Sequence, residues 1–305
     1  MTTTGTPVSN VGNLTARRSA RGALYALIAG GLLGVGLLAA ALSIPGPSPL
    51  TNTCVFTTPG TTMTLTGDCT TNATIPIPDG FTLDGDDYTI TAVDPFGGHF
   101  LGAVVASTGT EAHVQNLRIT TSGLADVCDA GADRLRGILF DGASGSITGN
   151  VVTNINQGAS GCQEGNGIEV RNAPFDGTHP DPKQVTIEDN AVTGYQKTGI
   201  LANGDVLVEV VGNTVVGAGP IPYIAQNGIQ IGFGGMGEVR GNDISGNAYT
   251  GCSNQDAAWT GCIPWVSTGL LLYDVDANDV QHSQNRFRDN QRNLVMVTSS
   301  SLAHP

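Results

Sequence analysis

The sequence predicts an all-β chain wound as a right-handed parallel β-helix, a single solenoid behind one N-terminal signal or transmembrane helix. Three observations predict it. A short unit running from Gly to Asn returns along most of the chain. Within each copy apolar residues alternate with period two, as strands with one inward face require. The composition also suits many short strands and turns: of 305 residues 43 are Gly, and only 13% are charged although 40% are hydrophobic. Disordered chains combine low hydrophobicity with high charge, and collagen-like chains carry Gly at every third position; this chain does neither.

Taken from the N-terminus, residues 1–22 form a basic tail with Arg17, Arg18 and Arg21, read as cytoplasmic. Residues 23–44, from Ala23 to Ile44, are almost free of polar groups, and about 20 such residues span a bilayer. The arginines stay inside, so the chain beyond Ile44 faces outward. The segment reads as either an uncleaved anchor or a signal peptide, for which Ala39, Ala40 and Ala41 supply small residues near a cleavage site. Arg17-Arg18 resembles a twin-arginine signal only faintly. Residues 45–53 are a Pro/Ser/Gly linker, and the solenoid occupies 54–305. Beyond the apolar segment lie ten basic and all 26 acidic residues. A surface near −16 excludes electrostatic binding to nucleic acid, which needs basic clusters that displace counterions.

Copies of the repeat open at Gly102, Gly137, Gly167, Gly199, Gly228, Gly269 and Asn293, spaced by 35, 30, 32, 29, 41 and 24 residues. The shortest gap approximates a bare coil, and longer ones add loops. The turns lack consistent two-residue hairpin signatures, so each strand is expected to stack in parallel on its equivalent one coil away. Two inner columns result: Ile138, Ile168, Ile200, Ile229 and Leu270, and beside them Phe140, Val170, Ala202, Ile231 and Leu272. Asn150, Asn190, Asn213, Asn242 and Asn285 recur at one turn. Stacked amides there would bond along the helix and satisfy turn backbone groups.

These "Gly-Ile" strands and "Asn" turns resemble the right-handed parallel β-helix superfamily, the pectate-lyase-like proteins, over roughly residues 73–298. Phe81-Thr82-Leu83-Asp84-Gly85, followed by Tyr88-Thr89-Ile90, is similar to an opening coil common in that group. The resemblance implies a cleft on the outer face of the sheet that begins at each Gly, walled by the long loops 120–135, 156–166, 173–184 and 246–267. It implies no single activity, since the superfamily includes lyases, hydrolases, epimerases and non-catalytic proteins. The paired-Asp and Gly-His-Gly signatures of polygalacturonases are missing. So is the Asp-Pro-His core of mannuronan epimerases: Phe96 follows Asp94-Pro95, and Lys183 follows Asp181-Pro182.

Six cysteines, all beyond the apolar segment, suit an oxidising compartment. Cys128 and Cys162 fall at equivalent loop positions on consecutive coils, Cys252 and Cys262 share one insertion, and Cys54 and Cys69 flank the N-terminal end. The expected bridges are 54–69, 128–162 and 252–262.

On the Gly-strand sheet Glu169 and Arg171 point outward, Arg136 and Asp141 flank the preceding strand and Glu164 comes just before Gly167; these five are the candidate catalytic residues. Arg134, Asn166, Trp259 and Trp265 are the candidate substrate contacts. An Arg can pair with a sugar carboxylate, two carboxylates can serve as acid and base around a glycosidic bond, and acidic groups can hold Ca²⁺. The same charges equally form surface ion pairs worth about 0–1 kcal/mol each. Trp259 and Trp265, in the longest insertion, would stack on sugar rings or pack their own loop. Asp84, Asp86 and Asp87 offer Ca²⁺ ligands or simply a turn. No motif requires an organic cofactor.

The first expectation is an exported, secreted or anchored β-helix that binds polysaccharide. The alternatives are a lyase or hydrolase of uronic-acid glycans, and a structural or partner-binding surface protein. The last strand, Leu294 to Val297, has no later coil, so the tail or a second chain must shield it.

Overall fold

A computed structural model describes residues 52–172, 181–251, 266–276 and 278–297, all within the compact unit Pro45–Pro305. The apolar segment 23–44, Cys252, Cys262, Trp259 and Trp265 lie outside the described residues. No helix among the described residues is long and apolar enough to cross a membrane.

The described chain is all-β apart from one three-residue 3₁₀ turn at Gly131–Asp133. Each coil supplies one strand to each of three sheets, as Ser144–Thr148, Val151–Thr153 and Asn166–Asn172 do in one coil. Equivalent strands stack in parallel, giving two sheets of eight strands and one of nine. The ninth strand departs from expectation. Phe56–Thr57 folds back antiparallel on Thr62–Leu65, pairing the first edge of that sheet, an edge that would otherwise present open backbone groups.

The expected inner columns form in register: Ile138, Ile168, Ile200, Ile229 and Leu270 are successive Cα partners, as are Phe140, Val170, Ala202, Ile231 and Leu272. All ten are fully buried, and burying such a side chain contributes about 1.5–3 kcal/mol for the larger ones.

The asparagine column is a continuous ladder. Asn190 donates its backbone N–H and its side-chain amide to Asn213 Oδ1 at 2.9 and 3.0 Å. Asn213 repeats this to Asn242 and Asn242 to Asn285, all at 2.9–3.0 Å. Each amide also reaches a strand carbonyl, as Asn213 does to Ile187 O at 2.8 Å. Leu117 occupies the same turn one coil before Asn150, and its N–H donates to Asn150 Oδ1 at 3.0 Å.

The recurring glycines open the third strand of each coil because nothing larger fits. A Cβ on Gly137, Gly167, Gly199 or Gly228 would lie 2.4–2.7 Å from the carbonyl oxygen of the next glycine in the column. Both bridges within the described residues match expectation, Cys54–Cys69 and Cys128–Cys162.

Candidate functional site

The sheet of Gly strands carries the candidate residues on its outer face. In strand Arg136–Asp141 the inward positions are Ile138 and Phe140, and in Asn166–Asn172 they are Ile168 and Val170. Alternation therefore turns Leu139, Asp141, Glu169 and Arg171 outward. The register places Arg136 beside Asn166, Leu139 beside Glu169 and Asp141 beside Arg171.

Outward does not mean exposed here. Arg136 is one of the largest fully buried side chains. Its Nε donates to Glu169 Oε2 at 2.6 Å, and its other nitrogens donate to the carbonyls of Arg134, Gly131 and Ala132 at 2.7, 2.9 and 3.2 Å. The loop before the strand thus curls over the guanidinium and consumes its donors. Glu169, also buried, accepts from Asn166 Nδ2 at 2.8 Å, and its other oxygen lies 3.8 Å from Arg171. Arg171 in turn donates to Asp141 Oδ2 at 2.6 Å. Burial works against the Arg171 charge, but its bond and attraction to Asp141, reinforced by Glu169, raise its pKa overall.

The five expected catalytic residues therefore divide. Arg136, Glu169, Arg171 and Asp141 form one alternating chain of charge. Glu164 stands apart: fully buried, it accepts the backbone N–H groups of Asp129 and Leu135 at 2.9 and 2.7 Å. It pins the loop ahead of Arg136, so its carboxylate is committed to backbone. Cys128–Cys162 ties that loop to the next coil's loop, as do Asp126 and Ser160 through a hydrogen bond. Arg134 is exposed, and its carbonyl contributes to the Arg136 cradle.

One outward column runs the length of this face: Asp141, Arg171, Asn203, Gly232, Tyr273 and Val297 are successive partners. Along it and beside it are buried polar atoms with no hydrogen-bond partner among the described residues: Arg171 Nε, Asn203 Oδ1 and Asn166 Oδ1. Buried polar atoms are nearly always paired, so three on two adjacent strands mark this surface. Farther along, the rings of Tyr273 and Phe233 stand 5.2 Å apart at 58°. Sequence reasoning missed Asn203, Tyr273 and Phe233. Register with Arg171 was the signal for the first two.

Two features lie outside this face. Lys197, held by the carbonyl of Ala225 at 2.7 Å, has its pKa pushed down by burial to about 8. A polar cavity of about 400 Å³ lies between the loops at 121–124 and 154–158. It is lined by Gln157, whose Oε1 is also unpartnered. Among the described residues no three His, Cys, Asp or Glu side chains gather to hold a metal. Asp84 instead braces a turn, accepting the N–H of Asp86 at 3.1 Å, with Asp86 and Asp87 at φ 47° and 63°.

Stacked parallel coils, inner columns and a loop-walled outer face define a β-helix protein. A family model described as the right handed beta helix region matches residues 136–304, and the chain belongs to that family. No curated protein matches it. Among solved structures, the Dettilon tailspike protein matches at 12% identity and a TM-score of 0.28, covering 77% of this chain. The chain spans about half (53%) of that protein's chain.

Proposed function

We propose that this protein is exported and binds polysaccharide on the outer face of its Gly-strand sheet. The observation that carries the reading is the continuous outward column Asp141, Arg171, Asn203, Gly232 and Tyr273 on this sheet, in which polar side chains at one end give way to an aromatic ring at the other. Sugar hydroxyls both donate and accept, so a saccharide laid along this column can pair with the solvent-facing edges of its polar side chains. The apolar segment at 23–44 and the cysteines bridged in pairs support work outside the cytoplasm.

Turnover is not assigned. Arg136 is spent on Glu169 and three carbonyls, and Glu164 on two backbone N–H groups. An acid and base for glycoside cleavage must have access to the bond between them, and Glu169 lies buried between two arginines.

Affinity electrophoresis of the full chain through gels cast with soluble polysaccharides tests the reading. Retardation by at least one polymer, weakened in Asn203→Ala and Arg171→Ala variants of normal thermal stability, is expected. Free migration through every polymer refutes it. Cell fractionation with determination of the mature N-terminus tests export, and recovery in the cytoplasm refutes that part.

A further inference from the structure

We infer that the glycan bound on this face is uncharged, lies along the solenoid axis, and stacks a sugar ring on the Tyr273–Phe233 pair; the inference rests on the polysaccharide reading above. The backbone of Phe233 is the first reason. Residue 233 has φ 53°, in the left-handed region, where a bulky side chain is an outlier held only by its surroundings. At the same turn position, one residue past the outward column, three other coils also have a positive φ, at Gly142 (68°), Gly204 (83°) and Asp274 (56°), whereas Asn172 in the Arg171 coil does not. Two of those coils use the residue that this backbone suits. This coil places a phenyl ring there, and its N–H still donates to Tyr273 O at 2.9 Å. The unfavourable conformation is kept for the ring, which stands 5.2 Å from that of Tyr273.

The second reason is the space between the two ends of the column. Gly232 is the partner of both Asn203 and Tyr273. A Cβ at Gly232 would meet Asn203 Oδ1 at 2.7 Å, so no side chain interrupts the surface between amide and ring. With coils about 4.7–4.9 Å apart, Arg171 to Tyr273 covers three steps, about 14 Å. A short run of consecutive sugars fits this layout, with hydroxyls at Arg171 and Asn203 and the apolar C–H face of a ring at the aromatic end.

The third reason concerns charge. Arg171 already faces Asp141 at 2.6 Å and Glu169 at 3.8 Å. A sugar carboxylate would be the third anion on one cation, on a domain with ten basic and 26 acidic residues, whose field repels anionic polymers. A neutral glycan meets no such penalty.

The test applies affinity electrophoresis to the full chain with mixed-linkage β-glucan, galactomannan and polygalacturonate, for wild type, Phe233→Gly, Tyr273→Ala and Asn203→Ala, each with a thermal melt. Retardation by a neutral polymer, weakened about tenfold in Phe233→Gly with no fall in melting temperature, is the expected result. Phe233→Gly relieves the backbone, so a destabilised variant that binds normally would make the ring a packing element and overturn the inference. Loss in Asn203→Ala with unchanged binding in Phe233→Gly and Tyr273→Ala refutes the platform and leaves the polysaccharide reading standing. Preference for polygalacturonate refutes the uncharged class. No retardation by any polymer refutes both readings together.

Discussion

Replacing Glu169 with Gln separates an architectural network from a catalytic one. The Glu169 carboxylate takes Arg136 Nε at 2.6 Å and Asn166 Nδ2 at 2.8 Å, with the two partners of the ion pair only 1% and 5% exposed in their side chains. Removing one partner of a buried pair costs about 3–5 kcal/mol, because the remaining charge is left uncompensated. Glutamine keeps one acceptor oxygen, worth about 1 kcal/mol, so a net loss of about 2–4 kcal/mol is expected. For a domain of this size that lowers Tm by roughly 10 °C, read by circular dichroism. Replacing the pair together, Arg136→Met with Glu169→Leu, removes both charges and should recover most of the loss. A Glu169→Gln variant that melts with the wild type would refute the architectural reading. If it also lost a measurable glycan turnover, Glu169 would be a catalytic group.

Other expectations rest on the same geometry. Asn213→Ala strands the backbone N–H of Asn190 and removes the bonds of the Asn190 amide and the Ile187 carbonyl, while Asn242 Oδ1 keeps only the backbone N–H of residue 213. It should destabilise by about 2 kcal/mol or more beyond Asn285→Ala, whose half-buried site admits water; equal denaturant midpoints would refute the ladder's contribution. Near the N-terminus, backbone N–H groups of Glu111 and Thr110 hold Asp79 below the ordinary carboxylate value of 3.8. Burial pulls Asp84 upward, and hydrogen bonds from Gln115, Asp86 and Asn116 more than offset it. With folded values lowered, the stabilisation is present above about pH 4 and lost as pH falls through them. Hydrogen-exchange protection, corrected for the intrinsic pH dependence of exchange, should therefore fall below about pH 4 over residues 79–84 and 110–116, and less so in Asp79→Asn; identical acid responses would refute the assignment. Removing Cys128–Cys162, which closes a 34-residue separation, should cost about 3–4 kcal/mol. A non-reducing peptide map should show Cys252 joined to Cys262, and any crossed pair would refute that pairing.

Much of the site was legible only in part. That Glu169, Arg171 and Asp141 share one face followed from alternation and the repeat register; Arg136 has the parity of the inward Ile138 and Phe140, and only the structure shows that it meets Glu169. Their availability was not legible. Whether Arg136 meets a ligand or a loop depends on the path of residues 129–135, which has no periodicity and is set by Glu164 from the next coil. Phe233 escaped notice because it falls one residue beyond the alternating strand, where sequence marks only a turn.

Translational order is written in the chain itself: the inner Ile and Phe columns, the Asn ladder, the glycine at each strand start and the pairing of Cys54 with Cys69 and Cys128 with Cys162. Successive coils repeat the columns, the turn and the glycine, with Leu117 and Asn293 as departures, Cys128 and Cys162 sit at equivalent loop positions and Cys54 and Cys69 flank the N-terminal end, so one dimension of pattern suffices to read them. The outward groups are different, because their fate is set by packing in three dimensions. Their partners come from loops and from coils some 30 residues away, as Arg136 and Glu169 are 33 apart. Burial, charge pairing and orphaned hydrogen-bonding atoms arise only once those distant segments are packed against one another.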